Sequence, residues 1–230
     1  MSRLSALQSP HPSGAVRFLL VAEPIVWSVL VTVYFCLRPA DGQALWIDVL
    51  FAIYLIGVPI GLNLLHGDRP ADSGIRLDTM KQSFIDVGAA TLIMAGVLMA
   101  VSWMSDGWHW DDWGRFGEKI GMYVGWGLVQ QYILQAFTVV RLRQAGLSKL
   151  ATVLLASLLF SIVHTPNLAL MILTFLAGLT WCSLFLKCRN LLPLGLSHAA
   201  LATLAYFAMP QEWMIRNLIG AQYIEKVWGG

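Results

Sequence analysis

The sequence predicts an all-α fold, a polytopic bundle of about seven transmembrane helices. Of its 230 residues, 57% are hydrophobic and 12% are charged, whereas a soluble domain carries about 25% charged residues. A helix needs about 20 mostly apolar residues to cross a bilayer. Seven segments come close to that requirement, at residues 17–37, 44–65, 82–104, 119–142, 148–164, 168–187 and 191–208.

Two short flanks complete the predicted domain organisation. Residues 1–16 are polar and rich in Pro and Ser, which predicts a mobile N-terminal segment. Residues 17–208 form the predicted bundle, and they contain no internal repeat. Residues 209–230 mix aromatic and aliphatic side chains with charges, a pattern typical of an interfacial helix rather than a spanning one.

Charge and cysteine usage exclude some classes of protein. The net charge of +2 is too small to indicate a nucleic-acid partner. The cysteines, Cys36, Cys182 and Cys188, lie in or beside apolar runs and form no CxxC pair. We therefore interpret them as packing residues, and we expect neither a disulfide framework nor a structural zinc site.

Each of the first three predicted helices contains an acidic residue. Glu23, Asp48 and Asp86 all lie close to a predicted helix end, so we interpret them as interfacial or paired within the bundle rather than functional. After the third helix, the stretch SDGWHWDDWGRF alternates tryptophans with polar residues. This alternation is typical of an aromatic belt at the level of the lipid headgroups.

The Lys and Arg residues predict the orientation, because cytoplasmic loops carry an excess of them. One side of the predicted bundle holds ten: Arg3, Arg17, Arg69, Arg76, Lys81, Arg141, Arg143, Lys149, Lys187 and Arg189. The other side holds five: Arg38, Arg115, Lys119, Arg216 and Lys226. This asymmetry predicts a cytoplasmic N-terminus and an outside C-terminus. We expect an integral membrane protein in contact with membrane lipids, in a bacterial plasma (inner) membrane.

Polar residues interrupt three of the last four apolar segments. Gln130 and Gln131 lie near the middle of the fourth segment, and Gln135 follows one turn later. His164 lies at the end of the fifth segment and His198 within the seventh. Such groups need partners, because an unsatisfied polar group in hydrocarbon costs several kcal/mol. Mutual hydrogen bonds that hold helices together would explain either histidine alone. For the whole set in this order, the resemblance described next favours a functional site.

The stretches LLFSIVHTPN, FLAGL and LLPLGLSHAALATL resemble the CPBP family of CAAX-protease and bacteriocin-processing intramembrane proteases. That family has a Glu-Glu-x-x-x-Arg motif on one helix, Phe-x-x-x-His on the next, and a later His that is often followed four residues on by Asn. Phe160 and His164 match the second motif, and His198 matches the later histidine. The resemblance covers about 125–207, and we expect a CPBP-like core at about 119–208.

The resemblance implies an intramembrane endopeptidase that cleaves a transmembrane, membrane-associated or lipidated peptide by attack of water. It implies catalytic roles for His164, His198, Gln130 and Gln131, converging on one cavity. The chain departs from the family at the first motif, where Gln130, Gln131 and Gln135 replace both glutamates and the arginine. It departs again at Ala202, which stands where the asparagine is expected.

These departures leave the mechanism open. A glutamine amide is not a useful base near neutral pH, although it can orient a water molecule. A histidine could act as the base, since its unperturbed pKa of about 6.5 suits the task. Two imidazoles without a carboxylate or thiolate make a poor zinc site, so we predict no metal and no cofactor.

Two non-proteolytic alternatives also stand. The chain could be a catalytically inactive pseudoprotease that binds a membrane peptide or acts as a bacteriocin-immunity protein. It could also be a proton-coupled transporter that uses its intramembrane histidines. The transporter hypothesis is the weaker one, because the sequence has no visible inverted repeat.

Overall fold

The computed structural model of the chain describes residues 14–39 and 44–228. Regular secondary structure in this described part is entirely helical, which confirms the predicted all-α bundle. Most of the predicted mobile segment, residues 1–13, lies outside the described residues. The first helix begins at Gly14, three residues before the predicted start.

The described residues form ten α-helices. They are α1 (Gly14–Leu37), α2 (Leu45–Leu65), α3 (Met80–Met104), α4 (Trp113–Gln131), α5 (Val140–Gln144), α6 (Lys149–Ile162), α7 (Leu168–Cys188), α8 (Leu191–Ala208), α9 (Gln211–Met214) and α10 (Gly220–Trp228). A π-helical segment, Tyr132–Val139, joins α4 to α5 without a break, and a 3₁₀ turn, Ile215–Asn217, follows α9.

Five of the seven predicted segments form helices that are long and apolar enough to span a membrane, within the described residues. They are α1, α2, α3, α7 and α8. The other two segments differ from the prediction. The fourth forms a longer and more polar continuous helix, which runs from α4 through α5. The fifth, α6, has 14 residues. A helix of that length reaches only about 21 Å, which is short of a bilayer core.

Contacts between loops define two ends of the bundle. At one end, the Gln144 side chain donates to Asp68 (2.6 Å) and that of Asn190 donates to the Arg76 carbonyl (2.8 Å). At the other end, the His109 backbone N–H donates to the Phe207 carbonyl (2.9 Å). The loops after α2, α5 and α7 therefore lie at one end, and those after α3 and α8 lie at the other. Which end faces the cytoplasm stays a prediction.

The three acids of the first helices all form ion pairs. Asp48 pairs with Arg38 (3.1 Å) and Asp86 with Lys187 (2.7 Å). Glu23 pairs with Arg141 (3.0 Å), which is fully buried. Arg141 therefore ties α1 to α5 inside the bundle, and it should be removed from the ten residues counted as free interfacial charges.

Helices α4 and α8 form the central pair. Of the five apolar spans, α8 is the most enclosed, with 72% of its apolar window buried against 11% for α2 and α3. Gly127 of α4 lies against the backbone of α8, and a Cβ atom there would be 2.9 Å from the Gly195 carbonyl. This close approach brings the next turn of α4 beside His198.

Candidate functional site

His164 lies in the turn between α6 and α7. α6 ends at Ile162 and the Asn167 side chain caps the start of α7 at Leu168, so this turn lies between the two helices. The imidazole Nδ1 lies 2.7 Å from the Phe160 carbonyl of the preceding turn. The residue is 6% exposed, and the Thr165–Pro166 peptide bond beside it is cis.

His198 lies in the middle of α8, and its ring contacts two aromatic rings. Its ring stacks on Trp181 at a centroid distance of 4.7 Å. Trp181 in turn donates from its indole N–H to the Ser197 hydroxyl (3.0 Å). The Phe160 ring contacts both imidazoles edge-on, with centroids 5.0 Å from His164 and 5.8 Å from His198. One aromatic ring thus separates and orients the two histidines.

A chain of two amides leads to His198. The Gln135 amide donates to Gln131 Oε1 (3.0 Å), and Gln131 Nε2 lies 3.3 Å from His198 Nδ1. Both glutamines are completely buried. Gln135 lies within the π-helical segment, and such segments occur frequently at functional sites.

These hydrogen bonds assign the imidazole protons. A backbone carbonyl can only accept, so His164 carries its proton on Nδ1 and leaves Nε2 with a free lone pair. Because Gln131 accepts through its oxygen, its amide nitrogen donates to His198 Nδ1, and the His198 proton lies on Nε2. The site therefore contains one neutral imidazole with a free acceptor and one with a free donor.

Both histidines and Gln130 line one cavity of about 990 Å³. Gln131 is not on the cavity wall and lies behind His198. The structure therefore brings the four predicted residues together, although their catalytic roles stay a prediction. The walls are otherwise mostly apolar, with side chains that include Ile93, Met94, Val97, Leu98, Leu159, Leu173 and Leu201.

The C-terminal segment also contributes to this cavity. Arg216, Asn217, Leu218, Ile219 and Gln222 all line it, and they come from the stretch predicted to lie at the membrane interface. The sequence analysis did not assign them to the site, because a mixture of charged and apolar residues is equally typical of a surface helix.

Two polar cavity residues on α4 were also missed. Lys119 and Tyr123 lie one turn apart on α4 and line the wall. The Tyr123 hydroxyl accepts from the Asn217 amide (2.7 Å). Their spacing of four residues places them on one helix face, but in sequence this face resembles an ordinary helix entry into the membrane.

Metal ligands are sparse around the cavity. Within residues 14–39 and 44–228, no three His, Cys, Asp or Glu side chains group closely enough to hold a metal ion. His164 and His198 have only amide, aromatic and backbone neighbours among the contacts described above. The absence of bound zinc stays a prediction, which metal analysis of the purified protein would test.

Comparison with known proteins identifies the segment that carries the site. No curated protein and no solved structure matches the chain. A family model described as "Type II CAAX prenyl endopeptidase Rce1-like" matches residues 112–204. The matched segment begins at the N-cap of α4 and ends within α8, so it contains all four predicted site residues. Residues 112–204 are therefore Rce1-like, in agreement with the resemblance seen in the sequence.

Proposed function

We propose that this protein is an intramembrane endopeptidase of the CAAX type, in which a pair of histidines replaces the carboxylate base of the family. The observation that carries the proposal is the complementary pair of imidazoles on one cavity wall. His164 offers a free nitrogen lone pair, and His198 offers a free N–H. A hydrolase needs both functions, one to activate water and one to stabilise the oxyanion.

The proposed reaction uses these two nitrogens in sequence. His164 Nε2 takes a proton from a water molecule, whose oxygen attacks the carbonyl carbon of the scissile peptide bond. The His198 Nε2–H donates to the resulting oxyanion, and the half-buried Gln130 amide is positioned on the same wall to assist. His164 then passes its extra proton to the leaving amine nitrogen as the C–N bond breaks. Protons balance over the cycle, and both imidazoles return to their starting state.

The substrate that fits best is a membrane-associated or lipidated peptide. The cavity is near the upper end of the usual range of about 300–1,000 Å³ for ligand pockets. Its largely apolar wall favours an apolar chain, and the matched family is described as acting on prenyl substrates. We therefore propose a prenylated or similarly lipidated peptide, bound with its apolar group against α3 and α7.

A second function is favoured by one specific observation. Gln130, Gln131 and Gln135 provide no carboxylate, and glutamine cannot act as a general base. The chain would then bind a membrane peptide without cutting it, as a pseudoprotease or an immunity protein. The two proposals differ in a single measurable property, which is cleavage by the unmodified protein.

The test is proteolysis by purified protein in detergent, against matched prenylated and unprenylated peptides. We expect cleavage of the prenylated peptide, and we expect His164→Ala and His198→Ala each to lower turnover by about a hundredfold or more. His66→Ala is the matched control, because His66 pairs with Glu23 outside the cavity, and it should leave turnover unchanged. Peptide binding without any cleavage would establish the binding function instead. Cleavage that survives both alanine variants would exclude the histidine mechanism.

A further inference from the structure

Three arginines from distant parts of the chain form a cluster at one end of the bundle. Arg76 belongs to the loop between α2 and α3, Arg143 to α5, and Arg189 to the turn between α7 and α8. The charges of Arg76 and Arg143 both act on Arg189. None of the three lines the cavity, so this arginine cluster is separate from the candidate functional site.

Hydrogen bonds fix the loop that carries Arg76 against the turn that carries Arg189. The Asn190 side chain donates to the Arg76 carbonyl (2.8 Å), and the Leu191 backbone N–H donates to the Gly74 carbonyl (3.0 Å). Gly74 has a φ of +86°, and a Cβ atom there would lie 2.7 Å from the nearest side-chain atom of α7. The loop therefore packs directly on the turn, and the two arginines are held in place before any ligand arrives.

Arg189 itself combines a strained backbone with an unsatisfied donor. Its φ of 47° and ψ of 56° are left-handed, a conformation that costs a non-glycine residue on the order of 1–3 kcal/mol and tends to occur at ligand-binding sites. The guanidinium Nη1 is buried and has no hydrogen-bond partner among the described residues. A buried donor without an acceptor costs about 1–3 kcal/mol, which a bound anion would recover.

The electrostatic surroundings of Arg189 compensate its charge only in part. Burial lowers the pKa of the Arg189 guanidinium below its usual value, and the nearby Asp72 carboxylate opposes this effect. The charges of Arg76 and Arg143 lower that pKa further. Arginine nevertheless stays protonated in proteins, so a positive charge persists in a partly desolvated position. Asp72 is also engaged elsewhere, because it accepts from the Arg69 backbone N–H (3.3 Å).

The other two arginines keep an excess of positive charge in the cluster. Arg76 donates from Nε to Asp78 (2.6 Å), but the Asp78 side chain is 63% exposed, and exposed pairs contribute only about 0–1 kcal/mol. Arg143 donates to the Leu147 carbonyl, which brings no negative charge. Two acids, Asp72 and Asp78, thus accompany three arginines.

The cluster lies where three candidate spans begin or end. Arg76 precedes the start of α3 at Met80 by four residues, and Arg189 lies between the end of α7 and the start of α8. Exposed apolar side chains flank both arginines: Ile75 and Leu77 are 60% and 83% exposed, and Leu192 is 40% exposed. Cations beside outward-facing apolar groups at the end of a spanning bundle are typical of the headgroup level of a membrane.

We propose that the arginine cluster binds the phosphate group of an anionic phospholipid, whose acyl chains lie against the exposed apolar side chains beside it. The forked donors of a guanidinium match the oxygens of a phosphate group. A soluble phosphate would satisfy the same cations, but it would leave Ile75, Leu77 and Leu192 without a partner. The bound lipid joins the loop after α2 to the turn after α7, and the proposal does not depend on the endopeptidase.

The test measures the binding of phosphatidylglycerol and of phosphatidylcholine to the full-length protein in a neutral detergent, by native mass spectrometry and by thermal unfolding. We expect phosphatidylglycerol to be retained and to raise the melting temperature, and phosphatidylcholine to do neither. Arg189→Asn removes the cation and keeps a residue that tolerates the left-handed backbone. It should weaken phosphatidylglycerol binding about tenfold or more, the typical loss of a charge-assisted hydrogen bond.

Arg143→Gln is a second test, because it leaves the strained turn untouched and should weaken binding in the same direction. Lys149→Gln is the matched control, since Lys149 is exposed at the same end of the bundle and carries an equal charge outside the cluster. It should bind phosphatidylglycerol as the parent does. If Lys149→Gln weakens binding as much as Arg143→Gln and Arg189→Asn, the lipid follows the general surface charge and the site is refuted. Equal binding of the two lipids would refute it as well.

A soluble phosphate is the competing source of the same anion. Glycerol 3-phosphate and inorganic phosphate, each added at increasing concentration, distinguish the two sources. If either one displaces phosphatidylglycerol and raises the melting temperature to the same extent, the cluster binds soluble phosphate and the assignment to a lipid fails. We expect that neither displaces the lipid, because neither contacts the apolar side chains beside the arginines.

Discussion

At the scale of single residues, the site depends on where two protons lie. The Gln131 side-chain amide lies between Gln135 and His198. Its oxygen can only accept a hydrogen bond, and its NH₂ group can only donate. Because its oxygen is already engaged, only its N–H can face the imidazole. A glutamine thus fixes the His198 tautomer without introducing a buried charge, which in a low-dielectric interior would cost several kcal/mol.

This arrangement predicts the effect of Gln131→Glu. A carboxylate only accepts, so it would draw the His198 proton from Nε2 to Nδ1. The oxyanion donor would be lost, and turnover should fall by about a hundredfold, the typical contribution of one such donor. Nitrogen-15 NMR of histidine-labelled protein reads the tautomer directly. An Nε2–H tautomer that persists in Gln131→Glu would contradict the assignment, and Gln82→Glu on the surface of α3 serves as the control.

How much of the site could be predicted from the sequence differs between residues. His164, His198 and the glutamines were identifiable because polar groups inside apolar segments are rare and need partners. Lys119 and Arg216 were not, because each lies among other charges where a solvated side chain is the ordinary expectation. They line the cavity because the fold turns the C-terminal segment back onto α4 and α8.

At the scale of helices, α4 and α8 hold the site through their small residues. Gly127 lies one turn before Gln131, and a Cβ atom there would also be 3.2 Å from the Ala199 amide nitrogen. The π-helical segment that follows could not be predicted from the sequence, because it has no composition that distinguishes it from an α-helix. α6 ends at Ile162, two residues before the predicted end of the fifth segment.

Gly127→Ala should therefore separate α4 from α8. Overpacking of this kind costs about 1–3 kcal/mol, and the contact between Gln131 and His198 should lengthen, which lowers turnover. Gly125→Ala is the matched control, because a Cβ atom at Gly125 meets no atom within 4 Å. Helix propensity should make that variant slightly more stable, by about 0.5–1 kcal/mol. Thermal unfolding in detergent measures both, and equal melting temperatures would refute the close-packing argument.

At the scale of the whole molecule, the buried Arg141 joins parts that are far apart in sequence. It pairs with Glu23 on α1 and with Asp68 after α2 (2.9 Å), and it donates to Asn63 on α2 (2.6 Å). The Arg141 charge, which the sequence analysis counted at the membrane surface, thus lies in the interior of the bundle. Without Arg141 the sequence count is nine Lys and Arg residues against five, so the charge asymmetry is kept and the orientation stays a prediction.

The orientation predicts which loops can be labelled. Lys149 is exposed at the start of α6, and Glu212 is exposed at the opposite end of the bundle. With the native cysteines replaced, Lys149→Cys should react with a membrane-impermeant maleimide only after cell disruption, whereas Glu212→Cys should react in intact cells. The reverse pattern would invert the topology without altering the site.

The hydrogen bonds between the C-terminal segment and the turn after α6 have a consequence for biogenesis. Gly220 donates to the Thr165 carbonyl (2.8 Å), and Asn167 holds the turn that carries Arg216. The ribosome delivers both histidines well before it delivers this closing segment. The cavity therefore lacks part of its wall until residues as late as Gln222 have emerged.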